Sequence, residues 1–189
     1  MIPFYADVDA AYGRLSGDVA IAASAGVAVS GSGGAAGAGA ADPRFDGDLR
    51  LRYLQTAGLF GTVEAGGGSV LATGIELRPL FVSRWALGRE LGHPRLDMLI
   101  DSAALEVGVA FLHDPEPRSR STTRAFQAGL GLELPFFTTA TGPMLGLHAG
   151  LRWTDASLAG QGAPAGFVSL TLGWQQIFYG HVVDYEERR

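Results

Sequence analysis

The residues able to do chemistry in this chain are mostly ions: Asp7, Asp9, Asp48, Glu76, Glu106 and Glu133 on the acidic side, Arg50, Arg52, Arg78 and Arg152 on the basic side, with His148 beside them. Opposite charges brought together away from water form charge-assisted hydrogen bonds. Arg suits this best, because its planar guanidinium offers a fork of N–H groups to a carboxylate. All 14 basic residues are Arg and none is Lys. Each of these charges has a candidate partner of opposite sign, which favours a structural network over a path for an ion or a charged ligand. His148 has a second conceivable use: beside Arg152, Glu133 and Glu106 it could relay a proton, although a satisfied interior histidine is the simpler expectation.

Other chemical signatures are missing. The four histidines, His93, His113, His148 and His181, show no HExxH or other ligand spacing, so no metal site is expected. The lack of Cys excludes disulfides, thiolate zinc sites and cysteine nucleophiles. There is no GxSxG elbow, and no Ser is tied to a His by local spacing. Gly31-Ser32-Gly33-Gly34-Ala35-Ala36 has the GxGxxA spacing of a dinucleotide-binding turn, but it runs through more Gly and Ala into Asp42-Pro43 without opening an apolar helix. A flexible loop is expected there, and no cofactor. With 14 basic against 19 acidic residues, a net charge of -5 and a pI near 5.3, nothing marks a nucleic-acid partner.

The elements that would hold these charges repeat with period two. At 189 residues, 47% hydrophobic and 17% charged, the chain fits one domain. In residues 144 to 153 Leu145, Leu147, Ala149, Leu151 and Trp153 face away from Met144, Gly146, His148, Gly150 and Arg152. Residues 124 to 136 set Phe126, Ala128, Leu130, Leu132, Leu134 and Phe136 against Gln127, Gly129, Gly131 and Glu133. Residues 99 to 111 alternate likewise, with Asp101 as an exception on the apolar side, and Val168, Leu170, Leu172 and Trp174 oppose Ser169, Thr171, Gly173 and Gln175. Earlier runs lie at 4 to 12, 19 to 29, 46 to 64 and 69 to 78.

Turn signals at Ser16-Gly17, 31 to 43, Gly66-Gly67-Gly68, 114 to 117, Thr141-Gly142-Pro143 and 160 to 162 separate these runs into eight strands. Residues 46 to 64 contain no clear turn and are read as one long strand, in preference to two short ones broken near Thr56-Ala57-Gly58. Pro79 should end the strand that begins at Ser69 and start a partly helical connector over 79 to 96, with Phe81, Trp85 and Gly88 on one face. Residues 19 to 41 are uncharged but too rich in Gly, Ala and Ser for a membrane helix.

Eight alternating antiparallel strands fit a soluble barrel with its apolar face inward, of the calycin kind with a pocket for an apolar ligand, or a membrane barrel with that face outward. Three features favour the membrane. The polar face is rich in glycines such as Gly108, Gly129, Gly131, Gly146, Gly150 and Gly173, which suit a narrow lumen better than a solvated surface. Its charges come in both signs and can pair across that lumen. Aromatics sit near strand ends: Tyr12, Tyr53, Phe111, Phe126, Phe136, Trp153, Trp174 and Phe178 form the expected lipid-facing belt. Phe126 and Phe136 are ten residues apart on one face, which at a rise of about 3.3 Å and a tilt of roughly 40° spans about 25 Å, the height of an outer-membrane apolar band.

The chain at this point resembles the small bacterial outer-membrane β-barrel proteins of the eight-stranded, structural or adhesion type, over nearly its whole length. The most specific segment is Thr171-Leu172-Gly173-Trp174-Gln175-Gln176-Ile177-Phe178, similar to the family's C-terminal assembly signal at Thr171, Gly173 and Phe178; Gln176 and the extension 179–189 depart from that pattern. The resemblance implies outer-membrane lipid and the barrel assembly machinery as partners, and termini that face the periplasm. The opening Met1-Ile2-Pro3-Phe4-Tyr5 has no signal-peptide features. The resemblance therefore implies a signal peptide before Phe4 in a precursor and an added Met1 here. Residues 1–178 would form one barrel domain and 179–189 a C-terminal tail. Some relatives of this kind modify lipids with a His and Ser pair, so a lipid-modifying enzyme is a further alternative to a non-catalytic, structural or interacting barrel.

Overall fold

The computed structural model describes residues 12–14, 17–31, 42–113 and 122–179. Eight antiparallel strands follow one another in chain order: β1 (Val19–Gly31), β2 (Asp42–Tyr53), β3 (Ala57–Ala65), β4 (Ser69–Leu77), β5 (Ala104–His113), β6 (Thr122–Pro135), β7 (Gly142–Thr154) and β8 (Ala165–Phe178). Each pairs with its sequence neighbour, and β1 pairs with β8 from Val19 opposite Phe178 to Gly31 opposite Gly166, so the sheet closes into a barrel. Closure removes the free edges that an open sheet would expose. Three helices lie in the connections: α1 (Pro79–Leu87), α2 (Pro94–Asp101) and the short α3 (Asp155–Leu158).

The number of strands agrees with the sequence pattern, but their identities do not. The expected long strand over 46–64 is two strands, β2 and β3, paired from Phe45 opposite Ala65 to Tyr53 opposite Ala57. The turn between them is made by Leu54 and Gln55, both at positive φ (47° and 57°) and closed by Thr56 N–H donating to Tyr53 O at 3.0 Å. Hairpin turns of this hand normally use Asn or Gly, which tolerate that conformation. Leu-Gln carries no such signal. The turn is held from outside instead, by Leu54 N–H on Asp18 O at 2.8 Å and by burial of the Gln55 side chain.

The other corrections lie at the ends of runs. The expected strand at 4 to 12 falls outside the described residues apart from Tyr12, which is in a turn, and the barrel closes between β1 and β8 without it. Asp7 and Asp9 are likewise outside the described residues. The run at 99 to 111 is a strand only from Ala104, because residues 94–101 are α2. Asp101, the exception to the alternation, is therefore a helix residue. Asp42 and Pro43, expected in a loop, begin β2, and Gly142 and Pro143 begin β7. Of the uncharged run at 19 to 41, residues 19–31 are β1 and the GxGxxA segment beyond Gly31 lies outside the described residues.

The α1 boundaries follow local chemistry. Pro79 ends β4 and occupies the first helical turn, where its missing N–H costs nothing. Gly88 ends the helix in the left-handed conformation (φ 59°), with its N–H on Trp85 O and the Arg89 N–H on Arg84 O.

Alternation decides which residues meet the interior. Ile21, Leu49, Leu59, Ile75, Val107, Leu130, Leu147 and Leu170 all point outward and are exposed, whereas Arg50, Arg52, Glu64, Glu76, Glu106, His148 and Arg152 point inward and are buried. The pocketed soluble barrel is thereby overturned, since its apolar face would have to line the interior.

Candidate functional site

The inward charges form a connected network at the centre and one end of the lumen and a separate ion pair at the other. At its centre Arg50 donates from Nη1 to Glu76 (2.5 Å) and Glu106 (2.6 Å), and from Nε and Nη2 to Asp48 (2.5 and 3.2 Å). Towards the end that holds Val19 and Phe178, Arg52 bridges Glu76, Glu133 and Gln175, the last at 2.6 Å. Arg78, just past β4, donates to Glu133 at 2.6 Å and reaches Gln55 Oε1 at 3.4 Å. At the opposite end Arg152 forks onto Glu64 and donates from Nε to Gln127 at 2.8 Å. Phe60 lies 5.7 Å below the Arg50 guanidinium and Phe167 lies 4.3 Å from that of Arg152, so both cations also have an aromatic face.

His148 is in this cluster beside Glu106, one of its three expected neighbours, and beside Arg50, which was not among them. Its Nδ1 lies 2.9 Å from Glu106 Oε1 and 3.2 Å from Arg50 Nη2. Arg50 already serves three carboxylates, so the consistent assignment has Nδ1–H donating to Glu106. Arg152 pairs instead with Glu64, and Glu133 with Arg52 and Arg78. The small residues make this possible: a Cβ added at Gly131 would sit 2.7 Å from His148 Nδ1 and 2.8 Å from Glu106 Oε1.

Asp46 and Glu64 are buried residues that the expected set omitted, as are Gln127, Gln175 and Gln55. Their signal was available, because Asp46 and Glu64 keep the even-numbered parity of Asp48, Arg50 and Arg52. A cavity of about 10 Å³ lies among Asp46, Asp48, Glu64, His148, Arg152 and Ser169, and one of about 30 Å³ lies beside Arg14, Gln55, Arg78, Met98, Glu133 and Gln175. These hold one or two waters each at most, too little for a ligand. Among the described residues no group of three or more His, Asp or Glu is placed to hold a metal ion.

A second charged group, absent from the sequence expectation, closes the terminal end of the lumen. Asp97 is its hub: it accepts from Tyr12 Oη (2.9 Å), Leu91 N–H (2.8 Å) and His93 N–H (3.1 Å), and it pairs with Arg84. Arg14 is buried between the rings of Tyr12 and Phe81 and pairs with Asp101 and, at 3.5 Å, Glu90. Met98 of α2 packs with Ala20, Ala140 and Ile177 in the barrel mouth, and Ser102 Oγ accepts the Glu133 N–H at 2.8 Å. Tyr12 therefore departs from the expected outward belt; it is part of this cap. Tyr53, Phe126, Phe136, Trp174 and Phe178 are outward and exposed, and Phe111 and Trp153 are outward and half-buried, Trp153 beside Phe126 at 5.7 Å between ring centroids. Thr171 and Gly173 face the lumen side of β8.

The cap carries a pH dependence. Burial pushes the Asp97 carboxyl up, but the hydrogen bonds from Leu91, Tyr12 and Arg84 outweigh it and leave it below its ordinary value. Burial, then Asp97, pushes the Tyr12 phenol up to about 12, so it stays a donor. A carboxyl depressed in the folded state stabilises fully above its unfolded value and loses that contribution as pH falls through the folded one. The cap should therefore loosen in acid, below the ordinary carboxylate range, as a change in Trp85 emission. Glu90, raised by burial, titrates nearby, so the control is Asp97→Asn, which should show the acid-state emission already at neutral pH.

A closed antiparallel barrel of eight strands, apolar outside and ion-paired inside, is the architecture of the eight-stranded outer-membrane barrels. Among solved structures the chain is similar to Ail, the attachment invasion locus protein of Yersinia pestis, crystallised in complex with the heparin analogue sucrose octasulfate. The TM-score is 0.50 at 11% identity, covering 84% of this chain and 99% of that one. No protein-family model matches the sequence, and no curated protein matches it.

Proposed function

We propose that the chain is an integral protein of the bacterial outer membrane, spanning lipid with its eight strands and acting through its loops in a structural or interaction role, without catalysis. One observation carries this: most large apolar side chains of the eight strands face outward, on a barrel whose interior, Phe60, Val70, Met144, Phe167 and Ile177 apart, is polar and ionic. Water would penalise that wall, and hydrocarbon would not. The packed ion pairs make the lumen a plug and not a channel, since eight strands leave room for side chains and little else. Outer-membrane lipid is then the partner of the wall, and the C-terminal strand, with Thr171, Gly173 and Phe178, is what the assembly machinery would engage. The end that carries Val19, Phe178 and the cap faces the periplasm, and the connections after β1, β3, β5 and β7 face outward. The complex of Ail with a sulfated sugar analogue is a precedent for ligand binding in this fold, and it favours an interaction role over a purely structural one.

Refolding from urea tests the proposal. In detergent micelles the protein should become strand-rich by circular dichroism and migrate differently on gels before and after boiling; in plain buffer it should not fold. A folded, soluble monomer in buffer alone would defeat the proposal. Proteoliposomes should also show no steady conductance above that of empty vesicles.

A further inference from the structure

The least explained surface of the molecule is α1. Leu80, Val82, Trp85 and Leu87 are all exposed, at 42 to 67%, and spread around most of the helix circumference, while Phe81 alone is fully buried. A helix that is apolar nearly all round is normally covered on all sides. Among the described elements α1 packs mainly on α2. Its position says what covers it. Leu77 and Leu105, paired neighbours at the ends of β4 and β5, close the outward apolar wall at this rim, and Leu80 follows Leu77 by three residues. The exposed apolar side chains of α1 thus begin directly after the last wall residue of β4, at the rim. Just past α1 and at the start of α2, Arg89 and Arg95 are exposed; the exposed Glu90 between them pairs with Arg14 at 3.5 Å, and Asp97 and Asp101 are buried in ion pairs with Arg84 and Arg14. The two exposed arginines are suited to lipid phosphates.

We propose that α1 is an interfacial helix, seated among the headgroups and upper acyl chains of the periplasm-facing leaflet, with Trp85 as its anchor and Arg89 and Arg95 on anionic phospholipid. The proposal rests on the reading that the barrel wall meets lipid. About nine residues of helix, roughly 13 Å long, would extend the contact with one leaflet sideways from the barrel.

The test uses the refolded full chain in phosphatidylethanolamine and phosphatidylglycerol vesicles whose acyl chains carry bromine at known depths. In the W153F/W174F variant Trp85 is the single tryptophan, and in W85F/W153F Trp174 on the wall serves as the control. Trp85 should lose emission most to bromines near the glycerol level and resist quenching by aqueous acrylamide. R89Q/R95Q should weaken the lipid quenching when phosphatidylglycerol is present. Quenching of Trp174 without quenching of Trp85 would overturn the interfacial helix and leave the barrel reading intact, with α1 then free for a protein partner. Loss of lipid quenching at both would overturn the two together. Should a tryptophan variant not refold, the cysteine-free chain allows Leu87→Cys with a nitroxide label, whose relaxation should respond to membrane-dissolved oxygen more than to an aqueous nickel chelate; the reverse response overturns the proposal.

Discussion

Replacing Arg52 by Met should cost about 3–5 kcal/mol of folding free energy, read as the shift of the urea midpoint for refolding into phospholipid vesicles. Arg52 is fully buried and bridges Glu76, Glu133 and Gln175, so its loss leaves two buried carboxylates short of a cation, Glu76 with Arg50 and Glu133 with Arg78, in a lumen with room for only a water or two. The penalty belongs to the charges left behind and not to the lost bonds alone, because an unpaired buried ion loses its water and gains nothing in return. The double variant R52M/E133Q should therefore be less destabilised than the two single changes added together, with a coupling of about 0.5–3 kcal/mol. Glu133 retains Arg78 when Arg52 is replaced, which keeps the coupling from being complete. A cost of under about 0.5 kcal/mol for R52M would mean that water reaches these groups, and with it that the lumen is open.

Leu170→Arg should cost about 2–4 kcal/mol in the same assay, while Tyr53→Arg should cost about 0–1 kcal/mol. Both residues are outward. Leu170 is mid-strand, paired with Val27 and Leu147, and Tyr53 is the last residue of β2 at the rim. In hydrocarbon the price of a guanidinium depends on depth, since near the interface it can reach water and headgroups. A wall facing water would show the opposite pattern: both substitutions near neutral, as surface changes usually are. The depth dependence, more than either single value, discriminates between lipid and solvent.

How far the sequence was legible varies along the chain. β6, β7 and β8 were readable to within about three residues at their ends, because long alternation leaves little choice of face. The division between β2 and β3 was only hinted at near Thr56-Ala57-Gly58, since Leu54 and Gln55 are held in a left-handed turn by contacts to Asp18 and Arg78, residues distant in sequence. Parity was nonetheless preserved, because the three-residue connection 54–56 keeps even positions inward on both strands. That is why Asp48, Arg50 and Arg52 were placed correctly as interior residues by a strand drawn too long. The cap was unreadable. Tyr12 and Asp101 each look like part of an alternating run, and only their meeting with Arg14, Arg84 and Asp97 around two short helices shows otherwise.

By itself the sequence determined the two faces of each strand, the mixed-sign ionic character of one of them and the glycines that make room for it. All of these are properties of a backbone whose side chains alternate every residue. Tertiary structure alone decided that β1 meets β8, that the apolar face is the outer one, and that His148 answers to Glu106 while Arg152 answers to Glu64. Pairing across a lumen depends on the register and curvature of strands far apart in the chain, and local periodicity carries no information about either.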